Sequence, residues 1–123
     1  MSTPGCAHLH VHSEYSLLDG ACRIGQLVER AAAFDQPAVG LTDHGVMNGS
    51  LELFKAARKQ GIKPVLGVEA YFCEDRHYKG RRGDADFDAR KAERTHMTLL
   101  AESDEGFRNL VKVCSGGFLD GYH

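Results

Sequence analysis

Residues 38–72 read AVGLTDHGVMNGSLELFKAARKQGIKPVLGVEAYF, and this stretch decides the fold class. Two short apolar runs, residues 38–42 and 64–72, are typical of strands that are buried on both faces of a sheet. Between them, residues 50–60 have helical periodicity, and Gly61 suits the left-handed position that ends a helix. A strand, a helix and a second strand in this order predict a parallel βαβ unit.

The same alternation continues on both sides of this unit. Residues 7–11 are compatible with a first strand, and residues 24–34 predict a helix whose apolar side chains share one face. Residues 74–94 form a charged loop that contains glycine. Residues 96–101 then predict a fourth strand, which can return as a hairpin across that loop. We therefore predict an α/β fold.

The last predicted helix begins at Ser103, with two acidic residues in its first turn, and ends at Gly116 and Gly117. A closed α/β barrel takes about 250 residues, whereas this chain has 123. We expect either a small open sheet or about half of a barrel, formed as one unit by residues 1–123.

Composition and charge narrow the classes of function. The formal net charge is −2 at pH 7, which argues against a free-standing basic clamp for nucleic acid. No apolar run has the length of a membrane span and no secretory signal is visible, so we expect a cytoplasmic protein. The cysteines form no C-x-x-C pair, which predicts reduced thiols and neither a disulfide framework nor a zinc knuckle. They are Cys6, Cys22, Cys73 and Cys114.

Residue types that bind metals lie at the ends of the predicted strands. His8, His10 and His12 alternate along the first strand, and a period of two places them on one face. Asp43 and His44 directly follow the second strand. Because ligand groups in α/β folds gather at the carboxyl ends of strands, we expect these side chains to meet at one rim.

Three further residues extend this set. Glu69 lies in the second half of the third strand, where a buried carboxylate is costly unless it is paired or binds a metal. His96 begins the strand that returns beside Glu69, and Asp19 lies in the loop after the first strand. Each residue taken alone has a simpler structural explanation, such as capping a turn. The prediction of a metal site therefore depends on the joint pattern.

Imidazole and carboxylate groups together suit Zn²⁺, Mn²⁺ or Fe²⁺, with Mg²⁺ as an alternative. The candidates outnumber the protein ligands of one catalytic zinc, so the pattern predicts two or three divalent metals that share a bridging carboxylate. Sites of this kind mostly serve phosphoryl chemistry.

Four motifs occur in the order and at the spacings found in the PHP (polymerase and histidinol phosphatase) domain family: HLHVHSEYSLLDG, LTDHG, GIKPVLGVEAY and THMTLLA. The chain is most similar to the N-terminal PHP domain of bacterial DNA polymerase III alpha subunits. LLDG after the histidines, and GIKP before GVE, are more typical of that form than of stand-alone PHP phosphatases. The resemblance extends from about His8 to His123, and it implies a distorted seven-stranded α/β barrel with a trinuclear metal site.

The resemblance also implies roles for individual residues. Asp43 is expected to orient His44 or the strand end rather than to bind metal, and His8 stands where many family members carry Asp. The family site has nine ligands, so its last three would lie beyond His123 and the chain would be about the first half of the barrel. The implied metal ligands within the chain are His10, His12, Asp19, His44, the bridging Glu69 and His96.

Three functions remain open from the sequence. The chain can be part of a replicative DNA polymerase whose PHP domain is a metal-dependent 3′–5′ exonuclease. Such a parent would bind DNA and other replisome subunits, such as a proofreading exonuclease subunit or the sliding clamp. Alternatively, it can belong to a stand-alone PHP phosphoesterase that acts on a small phosphate monoester, or to a non-catalytic replisome docking module. We expect the fragment alone to have little or no activity.

Overall fold

Three strands and four helices alternate along residues 5–120, the part of the chain that this computed structural model describes. The predicted α/β class is therefore confirmed, and the main elements start within one residue of the predicted positions. The elements are α1 Ile24–Ala33, β1 Ala38–Leu41, α2 Ser50–Lys59, β2 Lys63–Phe72, α3 Ala89–Ala92, β3 Thr95–Leu100 and α4 Asp104–Asp120.

The strands form one sheet in the order β1-β2-β3. Strand β1 is parallel to β2, with Ala38 opposite Lys63. Strand β3 is antiparallel to β2, with Tyr71 opposite His96. Both the parallel βαβ unit and the hairpin return across the charged segment are thus confirmed. The return brings the start of β3 beside the carboxyl end of β2.

The first segment, residues 5–23, lies along the free edge of β1. It does not form the regular strand that was predicted for residues 7–11. Its one bridge to β1 joins His8 to Val39. The backbone N–H of Thr42 donates to the carbonyl of Val11 at 2.9 Å, while the N–H of Val11 donates to the side-chain Oγ1 of Thr42 at 3.1 Å. Because that hydroxyl takes the place of a backbone carbonyl, the regular ladder is interrupted here.

The hydrophobic core lies between the two long N-terminal helices and β1. Each helix is amphipathic and buries one stripe of apolar side chains, as the predicted face of α1 requires. Strand β3, in contrast, is mostly exposed and is the outer strand of the sheet among residues 5–120. The buried core residues are Ile24, Val28, Ala31, Val39, Leu41, Leu53, Ala57 and Ile62.

Helix α4 continues through Gly116 and Gly117 to Asp120, so the predicted end at the glycine pair is wrong. Each glycine in a helix interior costs about 1 kcal/mol relative to alanine. Side chains on both sides of the pair, Val113 and Phe118, line one cavity together with Tyr71 of β2. Among the described glycines, positive φ occurs at Gly45, Gly61 and Gly83, so neither Gly116 nor Gly117 takes the left-handed conformation that ends a helix at glycine.

The charged segment 74–94 contains the short helix α3, which the sequence analysis did not predict. Asp88 caps it, because its side chain accepts hydrogen bonds from the backbone N–H groups of Arg90 and Lys91. All four cysteines lie within the described residues and are free thiols. Among residues 5–120, no helix is long and apolar enough to cross a membrane.

Gly40 is where the first segment and β1 come closest together. A Cβ at this position would lie 2.7 Å from both the Cα and the carbonyl oxygen of Leu9. We expect Gly40→Ala to lower the free energy of unfolding by about 1–3 kcal/mol, the usual cost of overpacking. Urea denaturation followed by circular dichroism measures the change.

Gly25→Ala in α1 is the matched control, since nothing lies within 4 Å of a Cβ there. Alanine is also the better helix former, so this variant should be as stable as the wild type or more stable. Equal free energies of unfolding for the two variants would contradict the close packing of the first segment on β1.

Candidate metal centre

Backbone hydrogen bonds bring the ends of the strands to one rim. Past the end of β1, the carbonyl of Asp43 accepts from the N–H of Glu69 at 3.1 Å, and the N–H of Gly45 donates to the carbonyl of Glu69 at 2.8 Å. A bridge between His44 and Glu69 extends the parallel pairing by this route. Backbone hydrogen bonds therefore hold the segment that carries His44 beside the strand that carries Glu69.

The Glu69 carboxylate lies at the centre of the site, and the residue is only 7% exposed. Its Oε2 atom lies 2.9 Å from Nε2 of His10 and 2.5 Å from Nε2 of His12. Its Oε1 atom lies 2.8 Å from Nδ1 of His96. One buried carboxylate thus contacts three imidazoles, which come from the first segment and from β3.

Asp19 joins the first segment to the end of β1. Its Oδ1 atom lies 3.3 Å from Nδ1 of His12, and its Oδ2 atom lies 2.8 Å from Nδ1 of His44. The ring of His44 also packs edge-on against that of His96, with centroids 4.4 Å apart. All six residues predicted as ligands therefore meet in one cluster.

Two groups of donor atoms within this cluster could each hold a metal ion. Within each group the ligand atoms lie within 4.8 Å of one another, and Glu69 belongs to both. The donors are imidazole nitrogens and carboxylate oxygens, the set that suits borderline divalent cations. The buried Nε2 atom of His44 has no hydrogen-bond partner among the described residues, and it belongs to this cluster. The first group is His10, His12 and Glu69, and the second is His44, Glu69 and His96.

The surroundings favour the charged form of both carboxylates. Burial acts to raise the pKa of Glu69, but the hydrogen bonds from His10 and His12 outweigh it, and the pKa lies below its ordinary value. The hydrogen bond from His44 is the main cause that lowers the pKa of Asp19. Ionised carboxylates are the form that binds metal.

The other two predicted site residues lie outside both groups. Asp43 is buried behind the cluster, where its carboxylate accepts hydrogen bonds from Ser13 and Ser16. The hydroxyl oxygen of Ser16 in turn accepts a hydrogen bond from the backbone N–H of His44 at 2.9 Å. His8 is exposed and belongs to neither group.

Tyr71 also belongs to the site, although it was not predicted from the sequence. Its ring lies 4.9 Å from both the His44 and the His96 rings, measured between centroids. The period of two along β2 places residue 71 on the same face as residue 69, and this was the signal that could have found it. Ser13 and Ser16 were missed as well, because no sequence pattern distinguishes a buried serine from a loop serine.

A cavity of about 470 Å³ adjoins the cluster. Its two cationic side chains come from the charged segment: Arg76 pairs with Asp120 at 3.0 Å, whereas Arg94 donates to backbone carbonyls, including that of Lys91 at 2.8 Å. A larger cavity of about 580 Å³ between α2 and the first turn of α4 contains none of the candidate ligands. The cavity beside the cluster is lined by residues that include His44, Tyr71, Arg76, Arg94, Cys114 and Phe118.

A protein-family model and several known proteins match nearly the whole chain. A model of the PHP domain matches residues 8–123. The chain is 36% identical over 116 residues to the DNA polymerase III subunit alpha of Aquifex aeolicus. It is 43% identical over 121 residues to that of Mycobacterium tuberculosis. The alignments cover 94% and 93% of this chain but 10% of each relative, so the chain spans about a tenth of the length of these proteins.

Two solved structures share the fold. An amidohydrolase from Chromobacterium violaceum, solved with sulfate and without metal, is 26% identical with a TM-score of 0.56, and the match covers 89% of this chain and 34% of that one. A putative metal-dependent phosphoesterase from Bifidobacterium adolescentis is 20% identical with a TM-score of 0.51, covering 86% and 31%. Both matches agree with a partial distorted barrel. The chain belongs to the PHP domain family, in the form carried by bacterial DNA polymerase III alpha subunits.

Proposed function

We propose that this chain is the N-terminal part of the PHP domain of a replicative DNA polymerase, and that this domain is a metal-dependent 3′–5′ exonuclease. One observation carries the proposal: the buried Glu69 carboxylate is shared by imidazoles from separate segments at one rim of the sheet. The polymerase relatives support the choice of parent protein, and the similarity to a phosphoesterase fold supports hydrolysis.

The six clustered residues act as the metal ligands in this proposal. His10 and His12 would hold one divalent cation, His44 and His96 would hold another, and Glu69 would contribute to both positions. Asp19 lies between His12 and His44, where it can serve either cation. Zn²⁺, Mn²⁺ or Fe²⁺ suits these donors, and Mg²⁺ is an alternative. Divalent cations in such a site bind phosphate oxygens and lower the pKa of a bound water.

The protein's own groups prepare the site for this chemistry. Glu69 and the histidines hold one another in place through the contacts that metal binding would replace. Binding must displace the protons shared between imidazole nitrogens and carboxylate oxygens, so the affinity for metal should fall as the pH falls. Burial of Glu69 strengthens its electrostatic interactions, because little water competes for its oxygens.

The cavity beside the cluster supports a polynucleotide substrate over a small monoester. A DNA strand carries further phosphates on either side of the one that is cleaved, and Arg76 and Arg94 lie along the cavity to meet them. Tyr71 lines the same cavity and is 57% exposed. Its ring is a suitable surface on which a terminal base can stack. On this proposal the parent protein works in the cytoplasm with DNA and with replisome partners such as a proofreading subunit or the sliding clamp.

Glu69→Gln tests the bridging role. We expect this variant to lose metal at both positions, because the carboxylate belongs to both groups of donors. The loss of affinity should exceed the roughly 10–100-fold that changes outside the ligand shell cost. Equilibrium dialysis with Mn²⁺ measures the stoichiometry and the affinity.

Glu29→Gln makes the same chemical change on the exposed side of α1 and serves as the control. It should bind Mn²⁺ like the wild type. A Glu69→Gln variant that kept both equivalents of metal would contradict the bridging role.

Asp19→Asn in the full-length polymerase tests the exonuclease. We expect metal-dependent trimming of single-stranded DNA from its 3′ end to fall by more than about a hundredfold, beyond what outer-shell changes cost. DNA synthesis by the same molecules should stay unchanged and provides the internal control. Gel analysis of labelled oligonucleotides measures both reactions.

The other two functions would give different results in the same assays. Turnover of p-nitrophenyl phosphate without trimming of DNA would favour a stand-alone phosphoesterase. Metal removal that lowered the melting temperature while leaving proofreading unaffected would favour a docking module. For the 123-residue chain itself, we expect no hydrolysis above that of its Glu69→Gln variant, because residues 5–120 form only part of a barrel and leave the outer edge of β3 unpaired.

A further inference from the structure

Asp43 is a buried acid without a cation. The residue is 1% exposed, and no basic side chain of residues 5–120 forms an ion pair with it. Its carboxylate accepts from the backbone N–H of Ser13 at 2.6 Å, from the Ser13 hydroxyl at 2.8 and 3.0 Å, and from the Ser16 hydroxyl at 2.9 Å. Burying a carboxylate is costly unless such bonds compensate.

The two hydroxyls can donate only in the direction of Asp43. The oxygen of Ser13 accepts from the backbone N–H of Tyr15 at 3.2 Å, and that of Ser16 accepts from the backbone N–H of His44 at 2.9 Å. A hydroxyl has one proton to donate, and each serine directs its proton to the carboxylate. Ser16 therefore connects the Asp43 side chain to the backbone of the candidate ligand that follows it in sequence.

Backbone hydrogen bonds to Ser16 hold the loop that carries Asp19. The carbonyl of Ser16 accepts from the N–H of Asp19 at 3.0 Å and from that of Gly20 at 2.8 Å, and the N–H of Ser16 donates to the carbonyl of Ser13 at 3.0 Å. A Cβ at Gly20 would lie 3.0 Å from the Cβ of Ser16, so the loop closes tightly at this point. The position of Asp19 thus depends on where Ser16 is held.

We propose that Asp43, Ser13 and Ser16 form a buried clamp that sets the position of Asp19 relative to His44. The clamp thereby controls the affinity of the metal position that His44 lines. These three are positioning residues, because they touch the segments that carry the ligands and not the metal. The inference rests on the proposed metal centre and assigns a role to two serines in it.

The clamp should affect the two metal positions unequally. The Ser16 hydroxyl accepts a hydrogen bond from the backbone of His44, and the Ser16 carbonyl holds the loop to Asp19. In contrast, His10 and His12 contact Glu69 directly. Removing the Ser16 hydroxyl should therefore weaken the position of His44 and His96 more than the other, because Asp19 lies 2.8 Å from His44 but 3.3 Å from His12. Ser13 is less suitable as a probe, because it directly follows His12 in the chain.

Ser16→Ala in the full 123-residue chain, titrated with Co²⁺ alone, tests this inference. Calorimetry gives the affinity of each cobalt equivalent, and the visible absorption spectrum reports the geometry around the ion. We expect one equivalent to bind about 10–100-fold more weakly, the usual effect of a group that orients a ligand. The affinity of the other equivalent should change much less, and Ser16→Thr, which keeps the hydroxyl, should restore the first.

Ser103→Ala is the matched control. Its hydroxyl accepts from the N–H of Gly106 at 3.1 Å at the start of α4, away from the cluster. Hydrogen exchange of the metal-free chain adds a readout that needs no metal. The amides of Asp19, Gly20 and His44 should exchange faster in Ser16→Ala and at the wild-type rate in Ser103→Ala.

Two results would overturn the clamp while leaving the metal centre intact. In the first, Ser16→Ala binds both cobalt equivalents with wild-type affinity and spectrum. In the second, it loses both together, in proportion to a loss of folded protein. A wild-type chain that binds no cobalt would instead overturn the proposed metal centre, and with it the effect of the clamp on affinity.

Discussion

The burial of the Glu69 carboxylate is the constraint on which the rest of this structure depends. An ionised carboxylate out of water must find partners, and here the partners are three imidazoles supplied by two segments of the chain at one rim. The hairpin return of β3 supplies His96, and the segment along β1 supplies His10 and His12. The backbone N–H and carbonyl of Glu69 are themselves hydrogen-bonded to residues 43 and 45. Fold and site are therefore parts of one arrangement.

The two buried carboxylates of the site differ in the kind of partner that satisfies them. Glu69 contacts imidazoles, whose nitrogens can exchange a proton for a metal ion. Asp43 contacts hydroxyls and a backbone N–H, which remain donors at any ordinary pH. The first environment can change with metal binding and the second cannot. This contrast explains why two buried acids at the same rim of the sheet suit different roles. Glu69 suits the role of a metal ligand, and Asp43 suits that of an anchor for the backbone.

The sequence could predict the features that follow from local pattern. Apolar runs and helical periodicity indicated the βαβ unit. The placement of polar residues at strand ends predicted that the six candidate metal ligands would converge. Features that depend on tertiary contact were not predictable in this way. Helix α4 passes two glycines at which the local pattern predicted its end, and the first segment forms a single bridge to β1 because a threonine hydroxyl replaces a carbonyl. The buried pairing of Ser16 with Asp43 belongs to the same class.

The exposure of the candidate ligands among the described residues agrees with the catalytic role that we propose for metal. Structural zinc sites are closed by four protein ligands, whereas catalytic sites keep a position open for water or substrate. Among residues 5–120, each group of donors has three members, one of which is the buried Glu69, and the side chains of His10 and His96 are 56% and 43% exposed. The cavity with Arg76 and Arg94 adjoins the group that contains His44, so an anionic substrate in this cavity could contact both the cationic side chains and a cation held by that group.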